Sequence, residues 1–275
     1  MLVHVSLVRH RHLSHGAAEA DGGAKAWIAR WQRAARPLLA ARRAMDSSIS
    51  SDHSEELAFL VARAVRSGRR VADANFDRFL PPDLRAVSGQ FWTPLEVVVR
   101  AAQWLTELRV NSVVDIGSGV GKFCVAAALT SPCTFTGIEH RPRLASTARC
   151  IAQLFNLEER VQFITGVFGE VATPPADCYY LFNPFGENLF DVDERLNEDA
   201  DLSHARYLLD VGKVEHLLGS VPIGTYVMTY NGFGGTIPDD FEEVRSDFEL
   251  PCVLRMARRA RHSAVTLPRA GRAWR

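Results

Sequence analysis

Three short segments carry residue types that could do chemistry together. The first is Val113-Val114-Asp115-Ile116-Gly117-Ser118-Gly119-Val120-Gly121-Lys122-Phe123. Its apolar start reads as a buried strand, and alternate glycines then allow a tight turn with close backbone approach. Asp115, at the strand's end, disfavours a phosphate and favours an ammonium or sulfonium. The second is Thr134-Phe135-Thr136-Gly137-Ile138-Glu139-His140, where an acid closes the next strand. A carboxylate there can accept both hydroxyls of a ribose, as nucleotide-binding α/β folds use it. Glu139 could instead be a carboxylate at a helix start, but its spacing from the glycines and its place at the strand end favour the ligand. The third is Tyr179-Tyr180-Leu181-Phe182-Asn183-Pro184-Phe185-Gly186, at the end of a later strand. Ligands of open α/β sheets bind at that edge.

Elements that position these segments alternate along the chain. Strands are predicted at 112–116, 134–139, 161–166, 178–182 and 225–230, with two more near 248–256 and 262–267. Helices are predicted near 121–130, 141–155 and 202–219. The alternation gives an α/β fold with a doubly wound, mostly parallel sheet. No helix pattern separates the last two strands, which predicts an antiparallel hairpin. Upstream, Thr93-Pro94-Leu95-Glu96 reads as a helix start with Thr93 as N-cap and Glu96 as its reciprocal partner. That helix runs to about Leu108. Asp52 with Glu55 caps an earlier amphipathic helix, which Gly68 ends. Residues 26–45 suggest a basic helix with Trp27 and Trp31 docked on the main domain. We expect residues 1–80 to form a basic tail and helical extension, and 81–275 the main domain.

The glycine spacing separates cofactors. A dinucleotide turn needs G-x-G-x-x-G, but Lys122 stands at the third glycine's place, and no P-loop is present. S-adenosylmethionine carries a sulfonium and an ammonium and no phosphate, which suits Asp115. The segment Asp115–Gly121 resembles motif I of class I S-adenosylmethionine-dependent methyltransferases, and its wording is similar to the Dot1 type. The resemblance implies a seven-stranded sheet with one reversed strand, a Rossmann-like methyltransferase fold. It implies cofactor contacts from Asp115, Gly117, Ser118, Gly119, Gly121, Glu139 and His140. Gln90-Phe91-Trp92-Thr93-Pro94 resembles a segment of N6-adenine DNA methyltransferases that closes over the cofactor's methionine end, which implicates Phe91 and Thr93. An acid normally follows the third strand and reads adenine. This chain has Ile164-Thr165-Gly166-Val167-Phe168, so the backbone near Val167, with the Phe168 ring, is expected to hold the base. Asn183-Pro184-Phe185 resembles the Asn-Pro-Pro-aromatic motif of amino-group methyltransferases, with one proline missing. The resemblance implies that Asn183 and Pro184 accept hydrogen bonds from the target nitrogen while Phe185 stacks on the acceptor. Asn183 would also border the cofactor.

Composition narrows the partners. The chain has 275 residues and zero formal net charge, with basic excess at both ends and acidic excess between. The ends could meet nucleic acid or an acidic protein, though solvated arginine-rich tails explain them as well. No apolar run spans a bilayer and the start lacks signal-peptide order, so cytoplasmic residence without membrane contact is expected. The five cysteines show no C-x-x-C pairing and read as buried thiols; no metal site is expected. Acidic residues from Glu187 to Asp201 follow the Asn-Pro-Phe segment. They would repel nucleic acid and welcome a cation, or simply be a solvated loop. Tyr230 and Asn231 are candidates for the substrate mouth. The expected function is methyl transfer from S-adenosylmethionine, with a nitrogen of a protein side chain or small molecule preferred. DNA or RNA adenine methylation is the alternative. A NAD-dependent oxidoreductase and a methyltransferase-like binding module without activity are the rivals.

Overall fold

The structure, a computed structural model, describes residues 51–67, 71–191, 194–196 and 200–261. The expected helix at 26–45, Gly68 and the expected strand at 262–267 lie outside the described residues. Seven strands form one sheet: β1 (Ser112–Ile116), β2 (Thr134–Glu139), β3 (Val161–Thr165), β4 (Cys178–Leu181), β5 (Tyr226–Tyr230), β6 (Phe241–Asp247) and β7 (Leu254–Arg259). Their order is β3-β2-β1-β4-β5-β7-β6. The first five are parallel, and β7 runs antiparallel to β5 and to β6. This is the doubly wound sheet with one reversed strand. The winding direction changes between β1 and β4, which opens a crevice at the carboxyl ends of the strands.

Strand positions agree with the hydrophobic pattern wherever both faces are covered. Val113, Val114 and Ile116 of β1 are buried, as are all four residues of β4. The final hairpin is the exception. Its strands lie at 241–247 and 254–259, so the expected strand near 248–256 is displaced. Phe241-Glu242-Glu243-Val244-Arg245-Ser246-Asp247 is an edge strand whose outward charges hide its period, and a bulge at Glu243/Arg245 breaks the alternation. The segment before β7, with Pro251, is a turn.

Six helices precede and flank the first two strands: α1 (Ser51–Arg66), α2 (Asp73–Asp77), α3 (Pro82–Ala86), α4 (Ser88–Phe91), α5 (Leu95–Glu107) and, after β1, α6 (Lys122–Thr130). Asp52 lies inside α1 rather than before it. Helix α6, rich in alanine, is buried from Lys122 to Leu129, because the sheet covers one side and α1 and α5 the other. Helix α7 (Pro142–Leu154) carries proline at its start, and α8 (His204–Ser220) is capped by the Ser203 hydroxyl, which accepts from Arg206 N at 3.1 Å.

The helices before β1 share one core with the sheet. Phe76, fully buried, stacks on Phe155 with ring centroids 5.6 Å apart. Polar contacts make a tighter join. Lys122 is 2% exposed, and its Nζ donates to Asp77 Oδ1 at 2.9 Å and to Asp73 Oδ1. Ser88 Oγ donates to the same Asp77 oxygen at 2.8 Å. The chain from Asp73 to Phe91 is thereby fastened to the first residue of α6. Cys124, Cys133 and Cys178 are buried, whereas Cys150 is exposed and Cys252 half-buried, so the expectation of buried thiols holds for three of the five. No described helix is long and apolar enough to cross a membrane.

Candidate functional site

The turn after β1 is built on left-handed backbone at Gly117 (φ 76°), Gly119 (φ 55°) and Gly121 (φ 73°). Gly117 N and Ser118 N both donate to Ile138 O, at 2.9 and 3.1 Å, which fixes the turn against β2. Protein atoms, more than open space, explain why glycine is needed. A Cβ on Gly117 would stand 2.8 Å from Pro184 Cβ, and one on Gly121 2.4 Å from Phe163 Cζ. On Gly119 it would stand 2.4 Å from Trp92 Cζ3. Gly119→Ala is therefore expected to lower stability by about 1–3 kcal/mol through overpacking. Trp92→Ala placed in the same chain should restore part of it, measured by urea unfolding. Equal losses with and without Trp92 would show that the indole is not the obstacle.

A cavity of about 330 Å³ opens at the carboxyl ends of the parallel strands. Gly117, Gly119, Glu139 and His140 form one wall, and Gly166, Val167 and Phe168 continue it past β3. Asn183, Pro184 and Phe185 border it from the end of β4, and Phe91 from α4. The sequence points to all of these, Gly166 to Phe168 through their backbone. Gly121, Ser118, Thr93 and Asp115 were also expected but do not border this cavity. Gly121 is packed against Phe163 and Ala148. The other three border a smaller adjoining chamber of about 20 Å³, which shares Phe91, Trp92, Gly117 and Phe182 with the larger one.

Glu139 is 4% exposed and joins the two glycine-turn elements. Its Oε2 accepts from Gly119 N at 2.9 Å and its Oε1 from Arg141 N at 2.8 Å. It is thus a helix-start carboxylate and a cavity wall at once. His140 Nδ1 also lies 3.4 Å from Oε1, and the carboxylate faces the cavity. His140 follows it at the rim; burial lowers the imidazole pKa, with the Arg141 charge adding to the effect.

Asp115 is 3% exposed in the small chamber. Burial raises its carboxyl to about 7; a hydrogen bond from Cys124 Sγ at 3.4 Å opposes the rise, and the Glu139 charge adds to it. Aromatic rings surround it: Phe123 and Tyr180 stack face to face with centroids 3.6 Å apart. Ser118 Oγ, in the same chamber, is buried with no hydrogen-bond partner. Thr93 does not cap α5 as predicted. The cap position is Pro94, and Leu95 N donates to Asp73 Oδ1 at 3.0 Å. The Thr93 hydroxyl instead pairs with Tyr180 Oη at 3.0 Å.

Asn183 is held in left-handed backbone (φ 43°), a conformation asparagine tolerates, and its N donates to Gly232 O at 3.0 Å. Gly186 clears space for its amide: a Cβ there would meet Asn183 Nδ2 at 1.9 Å. Asn183 Oδ1 is buried and accepts no hydrogen bond. Leaving such an acceptor unsatisfied costs about 1–3 kcal/mol. Tyr230 does not reach the mouth: it is 3% exposed, and its ring tilts against Phe182 at 4.9 Å. Neither Tyr230 nor Asn231 borders the cavity.

Several wall residues carried no local signal in the sequence. Arg141, 6% exposed, pairs with Glu187 at 2.8 Å. Arg206 and Asp210 enter from α8. Of the acidic stretch, Glu187 and Asp201 border the cavity, while Asp193, Glu198 and Asp199 lie outside the described residues. Glu187 is balanced by Arg141, so the wall next to Asn183 is less acidic than the sequence suggests. Among the described residues no group of three or more His, Cys, Asp or Glu could hold a metal ion.

No protein-family model matches the chain, and no curated protein matches it. Solved structures resemble it in fold. An RNA methyltransferase from Salinibacter ruber with S-adenosyl-L-homocysteine aligns at 20% identity over 61% of this chain and 93% of its own, with a TM-score of 0.45. An O-methyltransferase from Bacillus cereus with the same ligand aligns at 14% over 72% and 97%, with a TM-score of 0.48. An O-methyltransferase family protein from Burkholderia thailandensis aligns at 15% over 66% and 62%, with a TM-score of 0.42. At these identities and scores they add no argument to the topology observed directly.

Proposed function

We propose that this protein is an S-adenosylmethionine-dependent methyltransferase whose acceptor is a nitrogen of a protein side chain or small molecule. The observation that carries the reading is Asn183 Oδ1, a buried acceptor without a partner, at the end of β4 in the wall of the cavity. The rest of the wall fits the cofactor. Glu139 presents a carboxylate in the cavity wall where ribose hydroxyls would lie, and the Phe168 ring offers an apolar face for a base. Asp115, whose carboxyl burial raises to about 7, suits a cation more than a pyrophosphate, because a cation favours its ionised form. Asp115 at the glycine turn argues against a dinucleotide, and Lys122, the nearby cation, is committed to Asp73 and Asp77.

When bound, the cofactor supplies a methyl group on a sulfonium that an in-line nucleophile displaces. The chain's contribution is alignment, which can supply much of the acceleration in such a displacement. In this reading Asn183 Oδ1 accepts a hydrogen bond from the acceptor N–H and turns the nitrogen lone pair inward. Pro184 offers its carbonyl for a second bond, and Phe185 packs against the acceptor. No residue need act as a strong base if the nitrogen arrives neutral.

Calorimetry with S-adenosylmethionine, S-adenosylhomocysteine and NAD tests the cofactor. Binding of the first two is expected, and binding of NAD alone would overturn the assignment. Asn183→Ala should bind S-adenosylhomocysteine about as well as wild type, yet lose turnover by about 10²-fold or more, the usual effect of removing one aligned polar group. Radiolabelled methyl transfer into fractionated lysate identifies the acceptor. Label in nucleic acid would move the acceptor to DNA or RNA. Cofactor binding with no label in any fraction would mark a binding module.

A further inference from the structure

Val167 stands where an acid would otherwise read the adenine, and the backbone beside it has little left to offer. Val167 O already accepts from Glu170 N at 2.9 Å and from Val171 N at 3.1 Å. Phe168 O accepts from Lys213 Nζ at 3.2 Å. An adenine amino group lying against this wall meets a Val167 carbonyl used twice and a Phe168 carbonyl already engaged by an ammonium.

Helix α8 brings one. Asp210 is 7% exposed and borders the same cavity as Val167 and Phe168. Two cations orient it: Arg206 Nε donates to Oδ2 at 2.6 Å, and Lys213 Nζ to Oδ1 at 3.2 Å. The Lys213 ammonium therefore bridges Asp210 to the carbonyl of Phe168. Its stem lies against Gly169, where a Cβ would come within 2.6 Å of Lys213 Cδ. Arg206 also pairs with Glu170 at 3.3 Å. Helix α8 is thus clamped to the loop after β3, and the clamp holds a buried carboxylate at the cavity wall. Each of its oxygens has one acceptor position used by these cations and one to spare.

We infer that Asp210 accepts the hydrogen bond from the exocyclic amino group of the cofactor's adenine, the role that Val167 cannot fill, and so sets the base specificity of the site. The inference rests on the S-adenosylmethionine reading. It moves a specificity residue from the sheet edge to the helix that also borders the acceptor side.

The full-length protein and calorimetry test it with two ligands: S-adenosylhomocysteine, and its deaminated counterpart with a 6-oxo group in place of the 6-amino group. Wild type is expected to prefer the amino ligand by about tenfold or more, the scale of one good polar base contact. Asp210→Asn, whose amide can donate to a 6-oxo group, should bring the two affinities together or reverse them. Glu170→Gln, which alters the same Arg206 pair without bordering the cavity, should keep the wild-type ratio. Because the readout is a ratio, a general loss of affinity in Asp210→Asn with the preference intact overturns the inference. Equal binding of both ligands by wild type overturns it with no variant needed. If wild type binds neither ligand, the cofactor reading falls and the inference falls with it.

Discussion

Asp115→Asn is expected to make the protein more stable at pH 8 and to destroy its affinity for S-adenosylmethionine. Both effects have one cause. Burial holds the Asp115 carboxyl at about 7 in the folded chain, against 3.8 for an ordinary exposed aspartate. Between those two values the folded state keeps a proton that the unfolded chain has lost. Stability then falls as pH rises through the window, and the cost is complete above about pH 7. Three pKa units correspond to about 4 kcal/mol. Asparagine keeps the shape and the contact with Cys124 but never ionises, so it removes this cost. The advantage of the variant should be small at pH 4, grow toward pH 7 and then level off. Thermal unfolding across that range checks it, and a constant difference would dismiss buried ionisation as the cause.

The same carboxyl predicts how ligand binding responds to acid. A cation in the small chamber favours the ionised form, so binding near pH 7 releases a proton. Affinity should weaken as pH falls below 7, approaching tenfold per unit. Calorimetry in buffers of different ionisation enthalpy reads the released proton directly. Stability and binding thus oppose one another at Asp115, as they commonly do where a site holds an unfavourable charge ready for its ligand.

The second large effect is structural. Lys122→Met removes a buried cation from Asp77, which is fully buried, and from Asp73. Breaking such a pair from one side costs about 3–5 kcal/mol, because the charge left behind has lost its counterion. Adding Asp77→Asn should return most of that loss, since the buried charge is then gone and the remaining Asp73 carboxylate, 39% exposed, is solvated. Urea unfolding of the single and double variants measures it. A double variant as unstable as Lys122→Met alone would show that the lysine acts through packing of its stem.

Legibility in the sequence followed the range of the forces. The central strands were visible because burial on both faces favours apolar and aromatic residues, Val113, Val114 and Ile116 in β1 and all four residues of β4. The edge hairpin was misplaced because β6 needs only one covered face and carries charges on the other. In the site, Asp115, Glu139 and Asn183 were visible because each lies within two residues of a strand's carboxyl end, and those ends point to the crevice whatever the rest of the chain does. Lys122 was noticed only as a missing glycine. Its partners Asp73 and Asp77 lie 49 and 45 residues away, and no local spacing announces a contact at that distance. The Thr93 cap failed for a related reason: a tertiary partner, Tyr180, took its hydroxyl, and Asp73 took over the helix end. Asp210 carried no signal because it sits one turn inside a helix whose local pattern is ordinary.

The seating of Trp92 on Gly119 bears on modularity. The indole touches the glycine turn and borders both chambers, and its Nε1 donates to Leu84 O at 3.2 Å. The floor of the pocket therefore comes from the parallel sheet, but part of its ceiling comes from chain that precedes the sheet entirely. A graft of the sheet and its glycine turn onto another protein would carry the floor alone. The smallest heritable part that keeps this site whole includes the helices before β1, and recombination that separates the two would exchange one kind of pocket for another.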